Sequence, residues 1–310
     1  MKKLKNVLSL FDGISCLQEV LNRAGIVFNK YYASEIDNAA VQVALKNFPN
    51  TKMVGDVRDL DPRDFKNITL FSAGFPCTDL SLMGKRRGMV TSENVSVTSL
   101  EQYLKLKESG FEFEGQSYLF WEMIRLFKGI DAEYYLIENV AKIDPQWLEI
   151  INNELGCPYV INASTLTSQN RDRFYWTNIP QFEYPEDRGL TLNNIIPGAI
   201  PAGIRGVLGS THPDIPNPKN NKWVPKMTMR KDGKANCLVT SGGGTNLYVL
   251  NGTLNQLTPE ECEVIQTLKA GFTDIKGISK STRYKLIGNG WSIDAVVPFF
   301  KSLTVDNRRK

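Results

Sequence analysis

A cysteine sits between Ile68-Thr69-Leu70-Phe71-Ser72-Ala73-Gly74-Phe75-Pro76 and Thr78-Asp79-Leu80-Ser81. The apolar and β-branched residues of 68–71 predict a short buried strand, and Gly74 and Pro76 predict its abrupt end. Cys77 then stands at the mouth of a sheet, where the end of a central strand delivers reactive side chains. Cysteine is the strongest side-chain nucleophile, but only as the thiolate, and at a free pKa of about 8.5 little is ionised at neutral pH. The competing reading is a buried structural thiol, the usual fate of a free cysteine.

The rest of the chain narrows what such a thiol could use. His212 is the only histidine, in the turn-rich Gly209-Ser210-Thr211-His212-Pro213-Asp214, where it reads as solvated or target-contacting. That speaks against His-based triads and His-rich metal sites, so a proton donor has to be a carboxyl. The five cysteines (Cys16, Cys77, Cys157, Cys237, Cys262) are odd in number, widely spaced and without a CxxC pair, which argues against a disulfide framework and a zinc site. In Gln169-Asn170-Arg171-Asp172-Arg173, alternate residues of an extended segment share a face. Arg171 and Arg173 would then suit a cleft that binds an anion or a carbonyl oxygen, or else mark a surface strand edge. Lys85, Arg86 and Arg87 could hold phosphates near Cys77 or form a solvated basic loop.

Elements that could position these groups follow from the pattern. Strands are expected at Lys5–Phe11, Phe28–Ala33, Thr51–Val54, Ile68–Phe71, Tyr134–Ile137, Tyr159–Ala163 and Phe174–Thr177. Helices are expected at Cys16–Ala24, Ala39–Asn47 and Leu100–Lys107. The first strands end at Asp12-Gly13-Ile14-Ser15, Glu35, Asp56 and Glu138-Asn139-Val140, so polar residues collect along one edge of a parallel, doubly wound α/β sheet. Glu35 follows Gly13 by 22 residues, the spacing at which an acid accepts from ribose hydroxyls, and Asp56 could accept from an adenine amine. The first turn lacks a full GxGxxG and no GxxxxGK[ST] occurs, so an adenosyl cofactor without a pyrophosphate fits best. Ordinary strand-end turns would account for any one of these alone.

Beyond Pro180 the chain changes character, with Pro, Gly and Asn dominating 196–221 and little periodic pattern. Residues 201–234 hold seven Lys/Arg against two Asp, which predicts a second, loop-built, basic domain facing a polyanion. Thr258, Pro259 and Glu261 predict a capping box at a helix start, and Arg283–Phe300 a turn and a helix returning to the core. The composition, 42% hydrophobic and 23% charged with a net charge of +4, is that of a globular enzyme. No apolar run approaches a membrane span and no signal-peptide core is present, so a cytoplasmic protein of a prokaryote or phage-infected cell is expected, with no membrane partner.

Six strings in this order closely resemble the C5-cytosine DNA methyltransferase family: Phe11-Asp12-Gly13-Ile14-Ser15, Gly74-Phe75-Pro76-Cys77, Glu138-Asn139-Val140, Gln169 to Arg173, Leu257 to Gln266, and Gly288-Asn289. The resemblance covers most of the chain, apart from 89–117 and 190–235. Two departures stand out: Ser15 where many members carry glycine, and Gly290-Trp291 in place of a small residue and valine. The resemblance implies a Rossmann-like catalytic domain over 1–180 and 256–310, binding S-adenosylmethionine, and a loop-rich target-recognition domain over 181–255. It places Phe11 on the adenine, Glu35 on the ribose and Asp56 on the adenine amine, with Leu119, Asn289 and Trp291 completing the pocket. Asp12, Gly13, Ile14, Ser15, Ile36, Val57, Gly74 and Pro76 would line the same cofactor site. It makes Cys77 the nucleophile at C6 of a flipped cytosine, Glu138 the donor to N3, Arg173 the ligand of O2 and Arg171 a support for the loop or a phosphate. The implied partner is double-stranded DNA, bound by a monomer without a metal, in a restriction-modification or phage setting. A tRNA-methylating relative and a catalytically inactive DNA binder are the alternatives.

Overall fold

The computed structural model describes residues 3–76, 96–113, 115–180, 183–208, 223–240 and 246–304, with the backbone alone at 204–208 and 223–226. The backbone clusters into two compact units. The first comprises Met1–Asn162, Asp172–Tyr184 and Val296–Lys310, and the second Ala163–Arg171 and Pro185–Ala295.

In the first unit β1 (Lys3–Leu10) leads into α1 (Cys16–Arg23), β2 (Val27–Ser34), α2 (Asn38–Asn47) and the short β3 (Lys52–Met53). β4 (Ile68–Gly74) follows, then α3 (Leu100–Glu108), α4 (Leu119–Gly129), β5 (Tyr134–Val140), α5 (Pro145–Leu155), β6 (Tyr159–Asn162) and β7 (Asp172–Thr177). These strands form one sheet in the order β3-β2-β1-β4-β5-β7-β6. It is parallel from β3 to β5, while β7 runs antiparallel to both β5 and β6. The order reverses between β1 and β4, so the loops after these two strands flank the switch point where open α/β sheets bind ligands.

The pattern behind this is direct. Residues Ile68 to Ala73 of β4 are all buried, because a central parallel strand is covered on both faces and reads as a continuous apolar run. α1 buries Cys16, Leu17, Val20 and Leu21, one stripe of a 3.6-residue period. α2 starts where Asp37 Oδ1 accepts from the Ala39 N–H at 2.9 Å. α4 buries Phe120, Trp121, Glu122, Met123, Ile124 and Leu126 and turns Lys128 to solvent. Glu122 is fully buried there, accepting from Tyr103 Oη at 2.5 Å and pairing with Arg125 at 2.7 Å and with Lys107.

The second unit holds β8 (Ile200–Leu208), β9 (Trp223–Met229), β10 (Leu247–Leu250) and β11 (Thr253–Gln256), an antiparallel sheet ordered β11-β10-β8-β9. The expectation of a loop-built region is corrected here: four strands pair into a sheet within it. Pro225 lies on edge strand β9, where a missing N–H is tolerated. α6 (Pro259–Ile265) begins with the expected capping box of Thr258 and Glu261, and α7 (Lys280–Asn289) packs against it. Leu192, Leu238, Leu257, Cys262, Ile265 and Ile287 belong to this unit's core. α8 (Ile293–Lys301) closes the described chain.

Candidate active site

The loop after β1 is conformationally costly. Phe11, Gly13 and Ser15 have φ of 52°, 58° and 60°, the left-handed region that L side chains rarely occupy. Such strain persists only where surrounding bonds over-determine it, and it clusters at functional sites. Here Asp12 supplies the bonds. Its buried carboxylate accepts from the Ser15 hydroxyl and from Tyr31 Oη at 2.6 Å. Ser15 precedes α1 without capping it, because its hydroxyl is given to Asp12. The departure from glycine at position 15 thus comes with a replacement bond. Burial pushes the Asp12 carboxyl up to about 6, against the lowering effect of the Ser15, Ser9 and Tyr31 hydroxyls, with the charge of Glu35 adding to the rise.

Glu35 joins the ends of β1 and β2. Its Oε2 accepts from the Gly13 N–H at 2.9 Å, and Oε1 accepts from the Ile36 and Asp37 N–H groups, both at 2.8 Å. A carboxylate offers about four acceptor positions, so these three bonds leave capacity for a hydroxyl. Asp56 is gripped by Arg58, whose N–H and Nε reach Oδ1 at 2.9 and 3.0 Å. That guanidinium holds the Asp56 carboxyl below its usual range. Half of the Arg58 side chain is exposed, and an exposed pair contributes at most about 1 kcal/mol, so an incoming amine can compete for the carboxylate. Ile14 and Val57 are buried in the unit's interior, Phe11, Gly74, Pro76 and Leu119 are half-buried, and Ile36 is exposed.

Glu138 and Arg173 come together. The β4–β5 register sets Glu138 beside Gly74, three residues before Cys77. Across β5 and β7, Glu138 faces Tyr175, and Arg173 lies two residues along on the same face. Arg173 Nε stands 2.8 Å from Glu138 Oε1. Glu138 and Asn139, expected just past a strand, lie inside it. The neighbouring Asn139, buried, donates from Nδ2 to the Phe75 carbonyl at 2.9 Å.

Gln169, Arg171 and Arg173 do not form one strand face, which corrects the expectation from alternation. β7 begins only at Asp172, and Gln169 makes an isolated parallel bridge to Ala235 within the second unit. Gln169 and Arg171 are buried there, and Asn289 and Trp291 belong to the same unit, exposed and half-buried respectively. Cys77, Lys85, Arg86, Arg87, His212 and Lys222 lie outside the described residues, as do the side chains of Trp223 and Lys226. Sequence reasoning passed over Tyr31 and Arg58, whose bonds to Asp12 and Asp56 leave no signature in spacing. Among the described residues no group of His, Cys, Asp and Glu could hold a metal ion, and no helix is long and apolar enough to cross a membrane.

Residues 5–111 match the model of the C-5 cytosine-specific DNA methylase family. Over these residues the chain is similar to the C5-cytosine DNA methyltransferases. It is 25% identical to the type II methyltransferase M.HaeII of Haemophilus aegyptius, over 96% of this chain and 91% of that one. It is 29% identical to the orphan methyltransferase M.SPBetaI of Bacillus phage SPbeta over 56% of this chain, which spans 44% of that relative's length. In fold it is similar to a Spodoptera frugiperda DNMT2 mutant, with a TM-score of 0.61 at 16% identity over 97% of this chain and 99% of that one. The strained loop, Asp12 and Glu35 all lie within these matched residues.

Two tests follow from the loop. At a left-handed position glycine relieves about 1 kcal/mol of strain, whereas removing the hydroxyl leaves a buried carboxylate short of a donor at a cost of about 1–3 kcal/mol. Urea unfolding should therefore rank wild type above Ser15→Gly and Ser15→Gly above Ser15→Ala, and equal stability of the two variants would remove the strain argument. The Asp12 carboxyl titrates near 6 folded against 3.8 in the unfolded chain, so the native state binds the extra proton between these values. Its contribution is most favourable below about 4 and is lost as pH rises through 6, by an amount on the order of 3 kcal/mol. Asp12→Asn should flatten that part of the stability–pH curve, and an unaltered slope would contradict the assignment.

Proposed function

We propose that this protein transfers a methyl group from S-adenosylmethionine to C5 of a cytosine flipped out of double-stranded DNA, through a covalent adduct with Cys77. The observation that carries the reading is the Glu138–Arg173 pair, 2.8 Å apart on the strand registered beside Gly74, which leads to Cys77. The donor set supports an adenosyl ligand in the first unit. Glu35 keeps acceptor capacity for a ribose hydroxyl, Asp56 carries a displaceable partner for an amine, and Phe11 borders the same turn. Asn289 and Trp291 are assigned to the same cofactor, as the family pattern implies. When bound, S-adenosylmethionine supplies an electrophilic methyl group.

The chain's own residues prepare the base. C5 of cytosine is a poor nucleophile, and bonding of the Cys77 sulfur to C6 makes it enamine-like. In this reading Glu138 delivers a proton to N3 as that bond forms, and Arg173 holds O2 while fixing the orientation of Glu138. After C5 is methylated, its proton leaves to a base, the electron pair reforms the C5–C6 double bond, the C6–sulfur bond breaks to return the thiolate, and the N3 proton returns to Glu138. A base inside a duplex does not expose C6, so flipping is required at a cost of a few kcal/mol. Residues 181–255 are assigned to target recognition, with the lysines of 201–234 neutralising phosphates and loops reading base edges. The matched DNA methylase model and the bacterial and phage methyltransferase relatives support DNA as the substrate.

Labelled S-adenosylmethionine offered with duplex DNA and, separately, with tRNA tests this directly. Label should enter DNA. Cys77→Ala should abolish transfer while binding cofactor as wild type does, and Glu138→Gln should slow turnover by about 10²-fold or more. Label in tRNA alone, no transfer by wild type, or turnover by Cys77→Ala would each overturn the proposal.

A further inference from the structure

Arg171 is spent on the protein itself. It is buried in the second unit, and both of its terminal nitrogens are engaged. Nη2 donates to the carbonyls of Gly288 at 3.0 Å and Gly290 at 2.8 Å, and Nη1 to the carbonyl of Leu238 at 3.2 Å and to Cys237 Sγ at 3.3 Å. A guanidinium with this many acceptors, almost wholly out of water, is badly placed to reach a phosphate or a base without breaking what it holds.

What it holds is the C-terminal end of α7 and the turn that follows it. Gly288 is pressed so closely on the backbone of Val239 and Thr240 that a Cβ would lie 2.7 Å from Val239 C and Thr240 N. Gln266 Nε2 donates to the carbonyls of Ile287 at 2.9 Å and Gly290 at 3.2 Å. Gln169 Nε2 reaches Gln266 Oε1 at 2.7 Å and Ser292 Oγ at 3.0 Å, while its Oε1 accepts from the Leu238 N–H at 3.3 Å. The carbonyls of 287, 288 and 290 and the hydroxyl of 292 are therefore all used from beneath. Asn289 and Trp291 alternate with these anchored positions and keep some solvent exposure. Such a turn, with its backbone fixed and two side chains presented, is built to offer those side chains to a ligand.

We infer that Arg171 is a positioning residue for the cofactor: it sets the Gly288–Ser292 turn that presents Asn289 and Trp291, and it touches neither the base nor the DNA. This rests on the assignment of Asn289 and Trp291 to S-adenosylmethionine made above. It divides the two arginines of Gln169–Arg173 between two tasks, Arg171 serving the cofactor and Arg173 the base.

The test separates binding from chemistry. Arg171→Lys keeps the charge but not the fork, and it should raise KM for S-adenosylmethionine by about tenfold, with kcat at saturating cofactor within about twofold of wild type. Duplex affinity without cofactor should not change. With 5-fluorotryptophan incorporated, the ¹⁹F signal of Trp291, assigned by its loss in Trp291→Phe, should shift or broaden in Arg171→Lys before any ligand is added. Arg171→Gln, neutral and shorter, should show the same pattern more strongly, and it replaces Arg171→Lys should that variant fail to fold. An unchanged cofactor KM with a reduced kcat or weaker DNA binding would overturn the inference and leave the cofactor assignment standing. Asn289→Ala, measured alongside, tests that assignment itself. Wild-type cofactor affinity in Asn289→Ala would remove the assignment, and this inference with it.

Discussion

One strand register governs the proposed chemistry. The parallel pairing of β4 with β5 puts Gly74 beside Glu138, so the segment leading to Cys77 and the acidic strand leave the sheet from adjacent positions. The antiparallel entry of β7 then brings Arg173 onto the same face as Glu138, at ion-pair distance. A slip of one residue in either pairing would turn one of these side chains to the opposite face. The burial of β4 on both faces resists such a slip, because every shift would have to repack a fully buried run. Asn139 adds a second tie, from the acidic strand to the Phe75 carbonyl at the root of the cysteine loop.

Around that register the two units use buried polar groups in the same way, to hold backbone where regular hydrogen bonding ends. In the first unit Asp12 and Glu35 bind the turns after β1 and β2, and three left-handed residues within five positions are kept in place. In the second, Arg171, Gln169 and Gln266 hold the end of α7 and the turn that follows it. Each network is worth most when complete, since a buried donor or acceptor left without a partner costs about 1–3 kcal/mol. This is why short loops can carry reactive and ligand-binding side chains without the regular structure that would otherwise fix them.

Much of this was legible in the residues, and the exceptions have physical causes. The central strands β1 and β4 announce themselves because burial on both faces writes mostly apolar runs, Val7–Leu10 and Ile68–Ala73. Thr258 and Glu261 mark the start of α6 because a capping box is a local device. α4 was passed over because its one acid, Glu122, lies among its apolar residues and is itself buried, which blurs the pattern in the sequence. The strands of the second unit were missed because Pro201, Gly203, Gly206 and Pro225 interrupt them, and only pairing across the sheet compensates. Glu138 was expected past a strand end because the apolar run stops at Ile137, whereas β7 extends the pairing to Val140. The setting of Arg171 could not be read at all: its acceptors Gly288 and Gly290 lie 117 and 119 residues away in sequence.

The central claim is that Cys77 bonds to the base during turnover, and a trapped adduct tests it most directly. A duplex in which the target cytosine carries fluorine at C5 cannot lose a proton from that carbon, so elimination of the thiolate stops after methyl transfer. Incubated with S-adenosylmethionine, the enzyme should form a complex with this DNA that survives denaturing electrophoresis, and mass spectrometry of its digest should place the nucleotide on the peptide containing Cys77. Active methylation of ordinary DNA with no such complex, or an adduct mapped to Cys16, Cys157, Cys237 or Cys262, would contradict the account.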